Sequence, residues 1–291
     1  MSHHRTSHAN SAISDLLRAP AGPVNLADFD PDAHPGFDGD RAEAEKMFAD
    51  MAAELAELQE KLFANGYVGD QRRLLLVIQG MDTSGKGGVL SHVVGAMSPS
   101  GIHLKSFKKP TKEELSHDFL WRIDKEVPAA GEIGIFDRSH YEDVLVVRVH
   151  ELAPAEEVER RYGAINDWEA AQVAQGTTIV KCMLHISADE QKERLLARLD
   201  DPTKQWKFKP GDLDERALWP AYQSAYEVAL SRCSTEAAPW FVIPANRKWY
   251  RNWAITSLLL EHLRAMALDW PAPDYDVSAQ KTRLAGETAP A

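Results

Sequence analysis

The stretch RLLLVIQGMDTSGKGG, residues 73–88, limits the possible folds of this chain more than any other feature. It begins with a short, continuous apolar run, which is typical of a strand buried on both faces of a parallel sheet. A glycine-rich turn follows at once, and helical sequence then continues to about Met97. A strand, a glycine-rich turn and a helix in direct succession indicate an α/β fold.

Four further apolar runs alternate with helical sequence: IHLKSF, EIGIFD, TTIVKCMLHI and APWFVIPA. Apolar residues recur at helical spacing from Met47 to Leu62, and Gly66 is the expected end of that helix. Helices are also predicted over EEVERRYGAINDWEAAQVAQ and WAITSLLLEHLRAMAL. Thr111 and Glu114 form a capping box for a helix after the second strand. The alternation predicts a parallel sheet covered by helices on both faces.

Composition divides the chain into three parts. Residues 1–40 are rich in Pro, Gly, Asp and His and show no period, so we predict an extended N-terminal arm. Residues 41–270 form the predicted domain, and residues 271–291 are predicted to be a C-terminal tail on the surface. The chain has 291 residues, of which 44% are hydrophobic, and this is enough for a sizeable core.

Charge and cysteine content restrict the class of protein. No apolar run approaches the roughly eighteen residues of a membrane span, and the first residues lack a secretory signal. Two distant cysteines, Cys182 and Cys233, favour a reduced, cytoplasmic protein without a membrane anchor. The formal net charge of −11 argues against a non-specific nucleic-acid binder. Basic residues are nevertheless clustered, which indicates a confined anion site; the clusters are Lys105, Lys108, Lys109 and Lys112, then Lys204, Lys207 and Lys209, then Arg247, Lys248 and Arg251.

The turn after the first strand has the pattern of a phosphate-binding P-loop. In such a loop backbone amides surround an anion and the lysine, here Lys86, reaches the phosphates. The candidate phosphate-binding residues of the loop are Gly80, Thr83, Ser84, Gly85 and Gly87. A plain glycine-rich turn is the alternative, but the position between a buried strand and a helix favours phosphate binding. The loop departs from the usual pattern because Gly87 replaces a serine or threonine and Asp82 lies inside the loop.

A second acid ends the third strand, in GIFDRSHYED. Asp137 lies at the carboxyl end of that strand, where P-loop enzymes keep a metal-binding acid, and Arg138 follows it. Gly87 supplies no hydroxyl for Mg²⁺, and a carboxylate beside phosphates is repelled unless a cation lies between them. We therefore predict that Asp82 and Asp137 bind Mg²⁺ together. The alternative for Asp82 is an Asx-type hydrogen bond that shapes the loop.

A helical lid is predicted around residues 198–216. Arg194 and Arg198 lie one helical turn apart, a helix break follows, and Lys204, Lys207 and Lys209 then alternate with aromatic residues. A lid that brings cations over phosphates would exclude water from phosphoryl transfer. An ordinary solvated helical hairpin, with lysine stems lying along its apolar surface, is the alternative.

Four segments together resemble the family-2 polyphosphate kinases: GMDTSGKGG, FDRSHYEDVLVVRV, DPTKQWKF and PWFVIPANRKWYRNW. The resemblance extends from about Arg41 to Trp270. It implies a P-loop kinase fold similar to thymidylate kinase, with inorganic polyphosphate as donor and a nucleotide as acceptor. By motif, the family's essential acids, lysine and arginines fall on Asp82, Lys86, Asp137, Arg138 and Arg198, and Arg122 matches a further family arginine.

The resemblance also implies roles at the edges of the site. SHYEDVLVVRV resembles the branch that phosphorylates both AMP and ADP, so ATP is expected from either, and Glu142 is expected to influence acceptor placement. Alternatively, Glu142 only begins the following helix. We further expect Lys204 and Lys207 to bind phosphate, Lys108, Lys109 and Lys248 to line a polyphosphate channel, and the chain to form a homo-oligomer. Two other functions remain open, an ATP-dependent nucleotide or small-molecule kinase and a non-catalytic polyanion-binding P-loop protein.

Overall fold

The computed structural model describes residues 11–287, and its centre is one parallel five-stranded sheet in the order β2-β3-β1-β4-β5. The strands are β1 (Arg73–Gly80), β2 (Ile102–Ser106), β3 (Ile133–Asp137), β4 (Thr177–His185) and β5 (Trp240–Pro244). Each lies within a segment that the sequence predicts to be a strand. Since β1 pairs in parallel with both β3 and β4, the loops that leave these strands meet at one edge of the sheet.

Helices cover both faces of this sheet, as expected. Leu74, Leu76 and Ile78 of β1 belong to one hydrophobic core, and Leu75 and Val77 belong to another on the opposite face. The first core is closed by α1 (Ile13–Leu17), α2 (Arg41–Tyr67), α3 (Lys86–His92) and α10 (Lys248–Ala265). The second is closed mainly by α6 (Ala155–Ala174) and α9 (Trp219–Cys233). This architecture confirms the α/β prediction.

Five further helices surround these layers in the described residues. They are α4 (Trp121–Asp124), α5 (Val146–Val149), α7 (Ala188–Asp200), α8 (Gly211–Ala217) and α11 (Val277–Ala285). Of these, α7 follows β4 directly. In the predicted lid, a 3₁₀ turn at Gln205–Lys207 separates α7 from α8. The tail after residue 271 carries α11, whose residues are exposed. Within residues 11–287, no helix combines the length and the apolar character that a membrane crossing requires.

Two predicted helices are shorter than expected. The helix after the loop ends at His92, and a separate 3₁₀ turn covers Val94–Ala96. Glycine and β-branched residues in VVGA lower the helix propensity there. The Thr111–Glu114 capping box is present, with hydrogen bonds of 2.6 and 3.2 Å, but it begins only a 3₁₀ turn at Glu114–Ser116. The prediction of a helix directly after β2 is therefore wrong, and a loop lies there.

The described part of the N-terminal arm, residues 11–40, packs on the domain. Leu17, Leu26 and Phe37 are buried. The Ala19 amide donates to the carbonyl of Trp240 at 2.8 Å, so the segment covers part of the edge of β5. The arm thus contains α1 and five buried apolar side chains, and is not simply extended; they are those of Leu17, Ala19, Val24, Leu26 and Phe37. These side chains are too few and too irregularly spaced to show a period. Residues 1–10 of the predicted arm and residues 288–291 of the predicted tail lie outside the described residues.

Candidate functional site

The loop between β1 and α3 has a backbone that requires glycine at its ends. Gly80 has φ of 154° and Gly85 has φ of 110°. A Cβ atom on Gly80 would lie 2.8 Å from the carbonyl oxygen of Leu184 on the adjacent strand. Thr83 also has a positive φ, 64°, which is uncommon for a side chain of this kind. The loop is therefore held in a conformation that other sequences would adopt only at a cost.

Lys86 is the first residue of α3, and its side chain folds back over the loop. Its Nζ donates to the carbonyl oxygens of Gly80 at 2.7 Å and Met81 at 3.3 Å. The side chain is partly buried, not exposed as expected for a loop lysine. Burial lowers the pKa of Lys86, while the nearby negative charge of Asp82 acts in the opposite direction. Two backbone carbonyls therefore hold the ammonium group over the loop.

The carboxyl end of β3 brings Asp137 and Arg138 to this loop. Asp137 is the register partner of Ile78 on β1, and its Oδ2 accepts a hydrogen bond from Ser106 at 3.0 Å. Arg138 has φ of 62°, another strained position, and its guanidinium lies 3.4 Å from Oδ1 of Asp82. Among the described residues, this arginine is the only side chain paired with Asp82, and no Asx-type bond shapes the loop.

A large basic cleft, about 1360 Å³ in volume, opens in front of the loop. Cationic side chains predominate in its lining, and the carboxylates are those of Glu45, Asp82 and Asp137. A cleft with this charge balance suits a polyanion. The cations are Arg41, Lys86, Lys108, Arg138, Arg194, Arg198, Lys204, Lys207, Lys248 and Arg251.

A small cavity, about 230 Å³ in volume, adjoins the basic cleft and has a different character. Its wall includes Tyr222, Tyr226 and Leu145, with the carboxylates of Glu142 and Glu215. Tyr222 donates a hydrogen bond of 2.7 Å to Glu215. Asp82 and Arg138 line both the small cavity and the basic cleft. These two residues therefore mark the junction where ligands in the two spaces would meet.

Glu142 belongs to a 3₁₀ turn, His140–Asp143, that Ser139 caps. Burial raises the pKa of Glu142, and the charges of Arg138 and Lys86 oppose that rise. With its amide nitrogen turned toward Glu142, Gln79 of β1 donates to Oε1 at 3.0 Å and accepts from the Ser139 hydroxyl at 3.0 Å. The end of β1 thus fixes the turn that carries Glu142 into the small cavity. The alternative, that Glu142 only begins a helix, agrees with its place in the first turn. It does not explain why Glu142 lines the small cavity.

The lid segment contributes Arg198, Lys204 and Lys207 to the basic cleft. Arg198 lies 4.0 Å from Asp212 of α8, and Lys204 lies 2.6 Å from Asp201. Arg194, one turn before Arg198, also lines the basic cleft, but its guanidinium is bonded to the protein. It is buried and donates to the carbonyls of Thr83 and Ser84 in the loop, at 2.9 and 3.0 Å, so it braces the loop.

Two of the predicted cationic residues lie outside the basic cleft. Lys109 is exposed and is not part of the cleft wall, although its neighbour Lys108 is. Arg122 is buried; it pairs with Asp143 at 3.2 Å and donates to the Lys108 carbonyl at 3.0 Å. The prediction that Lys109 lines the channel is therefore not supported, because only its neighbour Lys108 forms part of the cleft wall. Arg122 positions the loop that carries Lys108.

Sequence reasoning missed several residues of the two spaces. Tyr222, Tyr226 and Glu215 of the small cavity come from α8 and α9, which no local motif marks as functional. Arg251 was visible only as a member of a basic cluster. These residues reach the site through long-range packing, so their sequence spacing carries little signal.

Comparisons with known proteins agree with this geometry. The family model for Polyphosphate kinase 2 (PPK2) matches residues 38–270. A protein of Meiothermus ruber named AMP/ADP-polyphosphate phosphotransferase is 48% identical over 255 residues, covering 88% of this chain and 94% of that protein. An ADP-polyphosphate phosphotransferase of Rhodopseudomonas palustris is 41% identical, covering 75% of this chain and 78% of that protein. The crystal structure of polyphosphate kinase 2 from Arthrobacter aurescens TC1 superposes with a TM-score of 0.93 at 56% identity, covering 95% of this chain and 98% of that chain.

Proposed function

Because the chain belongs to the polyphosphate kinase 2 family, we propose that it transfers the terminal phosphate of inorganic polyphosphate to a nucleotide. One observation carries this proposal: a cationic cleft and a smaller, partly aromatic cavity share Asp82 and Arg138. The basic cleft is the place for the polyanionic donor, and the small cavity is the place for the acceptor. The two substrates then meet at the phosphate-binding loop.

The acceptors are ADP and AMP. The name of the Meiothermus ruber relative supports both. In the small cavity, the rings of Tyr222 and Tyr226 offer surfaces for a base, and carboxylates such as Glu215 can accept hydrogen bonds from ribose hydroxyls. Glu142 lines the same cavity as Asp82 and Arg138, and its charge interacts with theirs, so it can act on acceptor placement.

The transfer breaks the bond between the terminal phosphorus of the donor and its bridging oxygen. A phosphate oxygen of the acceptor forms the new bond, and the donor leaves one phosphate shorter. The attacking oxygen is already ionised, so positioning and charge neutralisation dominate over proton transfer. Lys86, Arg138 and Arg198 supply positive charge at the junction and along the basic cleft. Because a phosphoanhydride is exchanged for another, the reaction runs in both directions.

Asp82 and Asp137 fit a bound Mg²⁺. They are hard oxygen donors within an otherwise cationic cleft, and no group of three or more acidic, His or Cys ligands is found in residues 11–287. Mg²⁺ commonly takes one or two carboxylates and completes its shell with water and substrate phosphates. When bound, the ion neutralises negative charge on the phosphates. The two aspartates would hold it at the junction between the substrates.

Location and assembly belong to the same proposal. Cys182 and Cys233 are free and buried, which supports a reducing, cytoplasmic environment. A homo-oligomer remains part of the proposal, and large apolar side chains that an interface would cover, such as those of Tyr67 and Leu104, are exposed. Light scattering on the purified protein measures the oligomeric state directly.

A reaction without ATP tests the function. Purified protein, Mg²⁺, ADP and polyphosphate should yield ATP, and replacing ADP with AMP should yield ADP followed by ATP. Lys86→Met is the inactive control, because it removes the loop cation without disturbing a buried apolar core. An ATP-dependent kinase or a non-catalytic polyanion binder would form no ATP. Formation of ATP from ADP without any ADP from AMP would limit the proposal to one acceptor.

A further inference from the structure

Arg251 is a buried cation. It lies in the first turn of α10 and is 3% exposed. In the part of the chain that the structure describes, its guanidinium donates only to the adjacent Asn252 side chain, at 3.1 Å from Nε and 2.7 Å from Nη2. Among the residues that the structure describes, no carboxylate forms an ion pair with it. A buried charge that is unpaired is costly to the folded state.

The surroundings of Arg251 add further positive charge. The first turn of α10 contains no acidic residue, and the helix N-terminus itself carries a partial positive charge. Burial and the nearby Arg194 lower the pKa of Arg251 to about 10. Burial also lowers the pKa of Lys248, with contributions from Arg194 and Arg251. Repulsion of this kind is relieved when an anion occupies the site.

Gly85 at the end of the loop and Gly88 in the first turn of α3 leave room for this guanidinium. A Cβ on Gly85 would overlap Nη1 of Arg251, and a Cβ on Gly88 would lie 2.6 Å from Nη2. By contrast, a Cβ on Gly87 would have no atom within 4 Å. The second glycine after Lys86 is thus explained by the arginine that packs against the loop. Arg251, Gly85 and Gly88 all line the basic cleft.

We infer that Arg251 is a donor-binding residue whose guanidinium contacts a phosphate of the polyphosphate chain at the loop side of the basic cleft. The inference rests on the proposed function, and it adds a residue that lies outside the loop, the β3 motif and the lid. It accounts for a buried cation that folding alone would not favour. It also predicts that the charge of Arg251 destabilises the folded protein without ligand and stabilises the complex with polyphosphate.

Arg251→Met separates binding from folding. Without ligand, the variant should unfold at the same temperature as the wild type or higher, because an unpaired buried charge has been removed. Its affinity for polyphosphate, measured by calorimetry without nucleotide, should fall at least tenfold. Arg264→Met is the matched control. It removes the same charge from the same helix, but Arg264 lies on the surface and pairs with Glu54. The control should bind polyphosphate within twofold of the wild type.

Several results would overturn the inference. Arg251→Met that binds polyphosphate as tightly as the wild type would show that the guanidinium only fills space. The same conclusion follows if the variant loses thermal stability while the folded fraction keeps its affinity.

Should Arg251→Met fail to fold, Gly88→Ala decides, because its methyl group displaces Nη2 while the charge remains. A tenfold loss of affinity then supports the inference, and unchanged affinity overturns it. Wild-type protein that binds no polyphosphate would instead overturn the proposed function, and the inference with it.

Discussion

Asp82 and Asp137 have different partners although both line the basic cleft. Asp82 pairs with Arg138, whereas Asp137 accepts a hydrogen bond from Ser106. If both hold Mg²⁺, Asp82→Asn and Asp137→Asn should each raise the Mg²⁺ concentration for half-maximal rate and lower kcat/KM by roughly 10- to 100-fold. Steady-state kinetics over a Mg²⁺ titration measures both effects. Glu45→Gln, which removes the remaining carboxylate of the cleft, should leave the Mg²⁺ requirement unchanged. An unchanged requirement in Asp82→Asn would contradict its role as a Mg²⁺ ligand and leave it only the pairing with Arg138.

Glu142 should make stability depend on pH. Its folded-state pKa is raised, so the folded protein binds a proton more readily than the unfolded chain. The associated stability is present below the unfolded pKa and is lost as pH rises through the folded value. Glu142→Gln should therefore be more stable than the wild type at pH 8, and the difference should vanish toward pH 4. Urea denaturation at several pH values measures this difference. A constant difference across that range would contradict the raised pKa.

Residues within the local motifs could be predicted from the sequence, and residues brought in by packing could not. Asp82 and Lys86 belong to one local sequence pattern, that of a phosphate-binding loop. Asp137 ends the apolar strand beside it. Tyr222 and Arg251 lie far along the chain, in helices whose sequences resemble ordinary amphipathic helices. Their position becomes evident only once α9 and α10 are packed against the sheet.

At the scale of elements, β4 and α6 are joined by a buried ion pair. Lys181 of β4 and Glu169 of α6 are both fully buried, 2.6 Å apart, and the lysine also donates to the Tyr141 hydroxyl and the Cys233 carbonyl. Lys181→Met leaves a buried carboxylate without its cation and should lower the free energy of unfolding by about 3–5 kcal/mol. Chemical denaturation of this variant measures the loss.

The double variant Lys181→Met/Glu169→Gln tests whether the pair acts as a unit. It removes both charges and keeps an acceptor for Tyr141, so it should lose clearly less than the sum of the single variants. Strict additivity in this cycle would show that the two charges are not coupled. Because Tyr141 follows His140 in the turn that carries Glu142, the pair also supports the wall of the small cavity.

Strands were easier to predict than the elements between them. A continuous apolar run such as LLLVI is buried on both faces, so its identity needs no knowledge of neighbours. The segment after β2 carries a valid capping box, yet the chain forms only one 3₁₀ turn there. A cap marks where a helix can begin, but packing decides whether it continues.

At the scale of the whole molecule, residues 11–38 should contribute to stability although the family match begins at residue 38. Leu17, Leu26 and Phe37 are buried, and the Tyr250 hydroxyl donates to the Pro35 carbonyl at 2.8 Å. Burial of each large apolar side chain contributes about 1.5–3 kcal/mol, so deleting residues 1–38 should cost several kcal/mol or prevent folding. Deleting residues 271–291 is the matched control, because α11 is exposed, and it should change stability little. Equal effects of the two deletions in thermal unfolding would contradict a packed arm.

The charge of the whole molecule sets the final prediction. The chain carries a formal charge of −11, whereas the basic cleft is lined mainly by cations, so we expect the cleft to attract a long polyanion and this attraction to weaken as salt rises. The KM for long-chain polyphosphate should therefore increase steeply with NaCl, and the KM for ADP should increase less. Lys108 and Lys109 provide a matched pair, because only the first lines the basic cleft. Lys108→Gln should reduce the slope of log KM against log salt by about one, whereas Lys109→Gln should leave it near the wild-type value. Equal slopes in the two variants would mean that the donor does not pass Lys108, because the two substitutions change the net charge by the same amount.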